Sequence, residues 1–239
     1  MKASADNKSA DVFIYGEITK YAWEEYGEVS SITFKNELDA LGSDIETINL
    51  YINSPGGSVF EGLAIINMLQ RHGARIVVHI DALAASCASI IAMVGDEIRM
   101  PSNSLMMIHN AWTWASGNAA QLRKAADDIE RINQSAIQIY LDKAGNKLDA
   151  DTLQALLDAD TWLSAEQAFE YGLCDVVVEA SNAAACVDEE LMKQYKNVPQ
   201  ELMKQPQVKT QMSAEEKAFR EKILADSKAN LTYLNALNI

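Results

Sequence analysis

Cysteine is scarce and shows no pairing pattern: Cys87, Cys174 and Cys186 are the only three in 239 residues, with no Cys-x-x-Cys spacing. Such an odd set excludes a disulfide framework and suits a reducing compartment, so a cytoplasmic location is expected. Basic residues are also few. Lys+Arg number 20 against Asp+Glu 34, a formal net charge of -14, which removes nucleic acid and anionic membrane surfaces from the expected partners. The longest apolar run, 82–94, is too short and too rich in Ala, Ser and Cys to cross a bilayer. Residues 1–11 are small and polar, so no signal peptide is expected. Histidine occurs three times, as His72, His79 and His109, never as HxxxH or HExxH, and neither GxGxxG nor a P-loop is present. Metal, nucleotide and dinucleotide sites are therefore not expected, nor is any cofactor.

What is present is the balance of a globular protein, 49% hydrophobic and 23% charged. The length allows one domain of about 180 residues carrying an appendage. Charge supports that division. Residues 1–180 hold 26 acids and 12 bases, whereas 181–239 hold 8 and 8. The expected organisation is a flexible segment over 1–11, a folded domain over 12–180, and a C-terminal extension over 181–239. In the extension only 214–237 has a helical rhythm.

Within the folded part, 12–14 and 48–52 read as strands, the latter alternating Ile48, Leu50 and Ile52 with Asn49 and Tyr51. A helix is expected over 29–41 and a turn over 53–57. Val59, Leu63, Ile66 and Leu69 then recur at helical spacing up to Gly73. A strand over 75–80 and a buried helix over 84–93 repeat the unit. Short strands follow over 98–100, 105–108 and 176–178, with a long helix over 119–141, a shorter one over 151–157, and a capping box at Ser164 to Gln167. Repeated strand-helix alternation predicts an α/β fold with a mostly parallel sheet.

Three places have residue types suited to chemistry. Gly56-Gly57 after a strand offers backbone N–H groups at a crevice and close approach to another chain, or forms a plain turn. Ser86 sits among Ala84, Ala85, Cys87 and Ala88, where small neighbours leave room for a substrate backbone, or simply permit tight helix packing. His109, at the end of a strand, has the pKa range of a general base, or is structural. A carboxylate to orient it is available in Asp160, with Asp158 as competitor, and Cys87 is a second conceivable nucleophile.

The stretches Tyr51-Ile52-Asn53-Ser54-Pro55-Gly56-Gly57-Ser58, Ala84-Ala85-Ser86, Met107-Ile108-His109, Asp160-Thr161-Trp162-Leu163-Ser164 and Glu170-Tyr171-Gly172-Leu173-Cys174-Asp175 together resemble the Clp protease proteolytic subunit family, ClpP. The resemblance runs from about 12 to 178. It implies a ClpP/crotonase-like fold with a long protruding helix, and a serine endopeptidase acting on peptides or unfolded proteins. By position, Ser86 matches the nucleophile, His109 the base and Asp160 the acid. The N–H groups of Gly57 and Cys87 match the oxyanion donors, and Gly56, Gly57 and Ser58 match the substrate-binding strand. The family further implies a homo-oligomer, a heptameric ring or double ring, working with an AAA+ unfoldase. Trp112 to Asn118 and the extension are more similar to prophage-encoded members thought to mature capsids, which implies a phage capsid or scaffold protein as the alternative partner. Readings of another class are a crotonase-fold acyl-CoA hydratase or isomerase, and a non-catalytic ring-forming scaffold.

Overall fold

The computed structural model describes residues 1–4, 8–23, 27–180, 192–193 and 195–203. The expected helix over 214–237, and Cys186, lie outside the described residues.

Strand β1 (Lys2–Ala3) pairs antiparallel with β2 (Ser9–Ile18), so part of the segment 1–11 belongs to the sheet. Then come α1 (Ser31–Leu41), β3 (Thr47–Gly57), α2 (Val59–His72), β4 (Arg75–Ala85), α3 (Cys87–Ala92), β5 (Glu97–Pro101) and β6 (Leu105–Ile108). The long helix α4 (Ala119–Ala144) precedes α5 (Ala150–Asp158), β7 (Thr161–Ser164), α6 (Ala165–Glu170), β8 (Val176–Val178) and a single turn, α7 (Gln200–Met203). The sheet order is β1-β2-β3-β4-β5-β8, with β6 joining β4 to β7 off that path. All pairings are parallel except β1/β2 and β6/β7. This is a mixed α/β fold with a long helix. Among the described residues, no helix is long and apolar enough to cross a membrane.

Alternation places the core. Ile48, Leu50 and Ile52 of β3 and Ile76, Val78 and Ile80 of β4 are all buried, while α2 covers them with Ile65, Ile66 and Leu69. Helix α2 starts at the N-cap Ser58 and stops at Gly73, whose φ of 78° is the left-handed conformation that glycine adopts without penalty.

Two of the boundaries that differ from the sequence expectation lie at the sheet end that matters for chemistry. The turn expected over 53–57 is strand: β3 runs on to Gly57 because β2 and β4 extend beside it, each through a register shift. The helix expected over 84–93 begins only at Cys87. Ala84 and Ala85 finish β4, paired with Met106 and Met107. Small apolar residues carry no period that separates a buried strand from a buried helix.

Candidate active site

The topology brings three distant residues together by a simple rule, each lying one residue outside a strand. Ser86 follows β4 and His109 follows β6; because β4 and β6 run parallel in the register Ala85 to Met107, both chains leave the sheet on the same side. Asp160 precedes β7, and β7 runs antiparallel to β6 with Thr161 opposite Ile108, so its start lies beside the end of β6. The backbone N–H of Ser86 donates to the carbonyl of Met107 over 2.9 Å and fixes the two exits together.

Ser86 has φ 55° and ψ -129°, an unusual conformation for a residue with a side chain, and N-caps α3 without using its hydroxyl. A sharp strand-to-helix turn of this kind lifts a serine hydroxyl clear of the sheet. Its Oγ lies 2.7 Å from His109 Nε2. Gly56 explains how the turn fits: a β-carbon there would stand 2.5 Å from the Ala85 carbonyl oxygen and 2.7 Å from Ser86 Cβ. Beyond it, Gly57 and Ser58 line the cleft. Gly57 and Cys87 both line the cleft together with Ser86.

Electrostatics separate the candidates. Burial pushes the Cys87 thiol up to about 12, which keeps it protonated and removes it as a competing nucleophile. Burial lowers the pKa of His109, with Asp160 drawing it back up and Lys196 pushing it further down. A base held neutral at pH 7 is the result. Asp160 is buried, with φ 49°, a conformation that aspartate tolerates better than most residues. Asp158, the alternative, ends α5 and accepts from Asn110 Nδ2 and Gln154 Nε2, each at 2.7 Å. The other histidines are elsewhere: His72 contacts the Gly42 carbonyl, and His79 stacks on Tyr51.

The cleft encloses about 460 Å³. One wall is apolar, made by Ile90 of α3 and Ile129, Ile132 and Ala136 of α4; the rim carries Phe60 and Trp112. Asn133 of α4 accepts from the Ala111 N–H at 2.7 Å and holds the chain that leaves His109 against the cleft.

Sequence reasoning did not single out Asn133, nor a residue from the C-terminal extension that reaches the same place. Tyr195 lines the cleft, its ring meeting the His109 ring at 5.0 Å and 72°. In the sequence Met192, Tyr195 and Val198 are three apolar residues among many in the tail, and nothing there marks them.

Serine and imidazole in contact, with a carboxylate at the same end of the sheet, are residue types that the serine hydrolase class uses. Comparison with known proteins narrows the class. The family model described as Clp protease matches residues 7–181, and the chain belongs to that family. It is 33% identical over 133 residues to an ATP-dependent Clp protease proteolytic subunit of Bacteroides fragilis, covering 55% of this chain and 63% of the relative. A second B. fragilis strain gives 33% over 133 residues, 55% of this chain and 60% of the relative. The protein of the same name in Ligilactobacillus salivarius is 35% identical over 145 residues, 59% of this chain and 72% of that protein. The chain thus spans less than two thirds of the B. fragilis relatives.

Proposed function

We propose that this chain is a Clp-type serine endopeptidase, hydrolysing peptide bonds through an acyl-enzyme on Ser86 without a cofactor of its own. The observation that carries this reading is the 2.7 Å contact between Ser86 Oγ and His109 Nε2 at the floor of a cleft. Neutral His109 takes the hydroxyl proton as Ser86 Oγ bonds to the scissile carbonyl carbon, and the carbonyl oxygen becomes an oxyanion. The N–H groups of Gly57 and Cys87 receive that charge. The imidazolium, stabilised by Asp160, gives its proton to the leaving amine as the C–N bond breaks. Water, deprotonated by the same imidazole, then releases the acid and restores Ser86. The apolar wall of Ile90, Ile129, Ile132 and Ala136 suits an apolar side chain on the acyl side of the cleaved bond.

The assembly expected of the family fits α4. Its C-terminal half buries Ala136, Tyr140 and Ala144, but Leu122 in the N-terminal half is 44% exposed. A second copy of the chain would cover that apolar surface, giving a homo-oligomer built on a heptameric ring, single or stacked. Sites inside such a chamber cut short peptides without ATP and exclude folded proteins. Two settings use this chemistry: degradation of unfolded protein delivered by an AAA+ unfoldase, and maturation of a phage capsid or scaffold protein. Stimulation by an unfoldase with ATP identifies the first; limited trimming of a capsid or scaffold protein identifies the second.

The test is cleavage of short fluorogenic peptides by the native chain and by Ser86→Ala. Loss of activity by about 10³ or more in the variant supports the reading, and activity surviving in purified, folded Ser86→Ala overturns it.

A further inference from the structure

Tyr195, Lys196 and Asn197 contact the machinery of the site rather than its surroundings. The Tyr195 hydroxyl donates to the Pro55 carbonyl over 2.8 Å, in the strand that leads to Gly57. Its ring stands edge-on to the His109 imidazole, centroids 5.0 Å apart. The backbone N–H of Lys196 donates to Asp160 Oδ2 over 3.2 Å, and its ammonium lies 3.8 Å from Asp160 Oδ1. Trp162 Nε1, two residues beyond Asp160, donates to the Lys196 carbonyl over 3.0 Å, and Asn197 Nδ2 donates to the Ala159 carbonyl over 3.0 Å. Met192 and Tyr195 are buried with Leu83, Ala85 and Met107, while Trp162 and Val198 pack against the same cluster.

Two of these contacts oppose catalysis. Lys196 occupies one oxygen of Asp160 with its N–H and sets a positive charge near the other, opposing the electrostatic pull of Asp160 on the His109 imidazolium. The Tyr195 ring fills space against His109 that an incoming acyl group needs.

The segment is not seated as a substrate. A scissile peptide would present a carbonyl to the N–H groups of Gly57 and Cys87. Here the Lys196 carbonyl is held by Trp162, and the side chain that enters the cleft beside His109 is a phenol, which offers no carbonyl carbon for attack.

We propose that Tyr195-Lys196-Asn197 is an intramolecular ligand of the catalytic cleft, an uncleavable occupant that keeps the site closed until peptide displaces it. This inference rests on the serine peptidase reading. If the closed form holds about nine tenths of the molecules, removing it raises the reactivity of Ser86 about tenfold.

The experiment uses the full chain. The second-order rate of fluorophosphonate attachment to Ser86 is measured for the native protein, Tyr195→Phe and Tyr195→Ala, with thermal melts as the control on folding. The expected result is about tenfold faster labelling of Tyr195→Ala, a smaller rise for Tyr195→Phe, which keeps the ring, and slowing of Tyr195→Ala by an added synthetic peptide of residues 192–203. Labelling of folded Tyr195→Ala at or below the native rate overturns the inference, because a supporting or catalytic tyrosine would behave in that way. If Tyr195→Ala no longer melts cooperatively, Trp162→Phe takes its place with the same expectation, since it removes the indole donor that holds Lys196. Failure of every chain to label defeats the peptidase reading instead. The ligand is then judged on the NMR titration of His109: a midpoint raised in the variant supports it, and an unmoved midpoint overturns it.

Discussion

The hydroxyls of Ser89 and Tyr140 lie 2.6 Å apart inside the core, and Ser89 Oγ also donates to the backbone carbonyl of Ser86 over 2.6 Å. Tyr140 must therefore be the donor to Ser89, and the long helix α4 is tied through that pair to the turn carrying the proposed nucleophile. Tyr140→Phe removes one buried hydrogen bond with little change of shape, and a loss of about 1 kcal/mol in stability is expected from urea denaturation. Tyr140→Ala leaves a cavity beneath the turn as well, and is expected to cost about 3–5 kcal/mol. Equal effects of the two substitutions would contradict the packing described.

Burial lowers the pKa of His109 below the ordinary histidine value of about 6.5. Peptide cleavage, measured as kcat/KM, should rise with pH through a midpoint below that value and stay high at neutrality. Stability follows the same sign: between the folded and unfolded pKa values the unfolded chain binds more protons, so this contribution is present above about 6.5 and lost as pH falls through the folded value. A rising limb above pH 7, with chemistry limiting, would contradict the burial assigned to the imidazole.

Asp158 and Asp160 are two residues apart but have different partners, and substitution should separate them. Asp160→Asn is expected to lower kcat by about 10³-fold or more, as loss of the group that steadies the imidazolium does in serine hydrolases. Asp158→Asn keeps an acceptor for Asn110 and Gln154 and should stay within about threefold of the native rate, in line with a surface change. The reverse ranking would reassign the acid.

The order of these elements explains what could be read from the sequence. Ser86, His109 and Asp160 each stand beside a short motif, and the resemblance in those motifs led to all three. What the sequence hid was where strands end. Ala84 and Ala85 fit a buried helix as well as a strand, and Thr161 to Ser164 is too short to show a period, yet the pairing of β7 with β6 is what brings Asp160 to the site. Tyr195 was hidden for another reason. Its role depends on a chain returning from a Gln- and Lys-rich extension, and no local pattern marks the destination of such a return.

Leu122 on the exposed half of α4 should report assembly. Sedimentation of the native chain at near-physiological salt is expected to show a large ring-based particle. Leu122→Glu, which places charge on the proposed contact, should shift the population toward smaller species with an unchanged circular dichroism spectrum. A native chain that stays monomeric at high concentration while cleaving peptides would keep the chemistry and remove the chamber.

The central claim is that Ser86 is the nucleophile, and it is tested most directly by locating a fluorophosphonate adduct in the folded chain by peptide mass spectrometry. The account predicts a single adduct on Ser86, absent from Ser86→Ala and nearly absent from His109→Ala, with the neighbouring Cys87 unmodified. An adduct on Cys87, or labelling of Ser86 that is indifferent to His109, would contradict it.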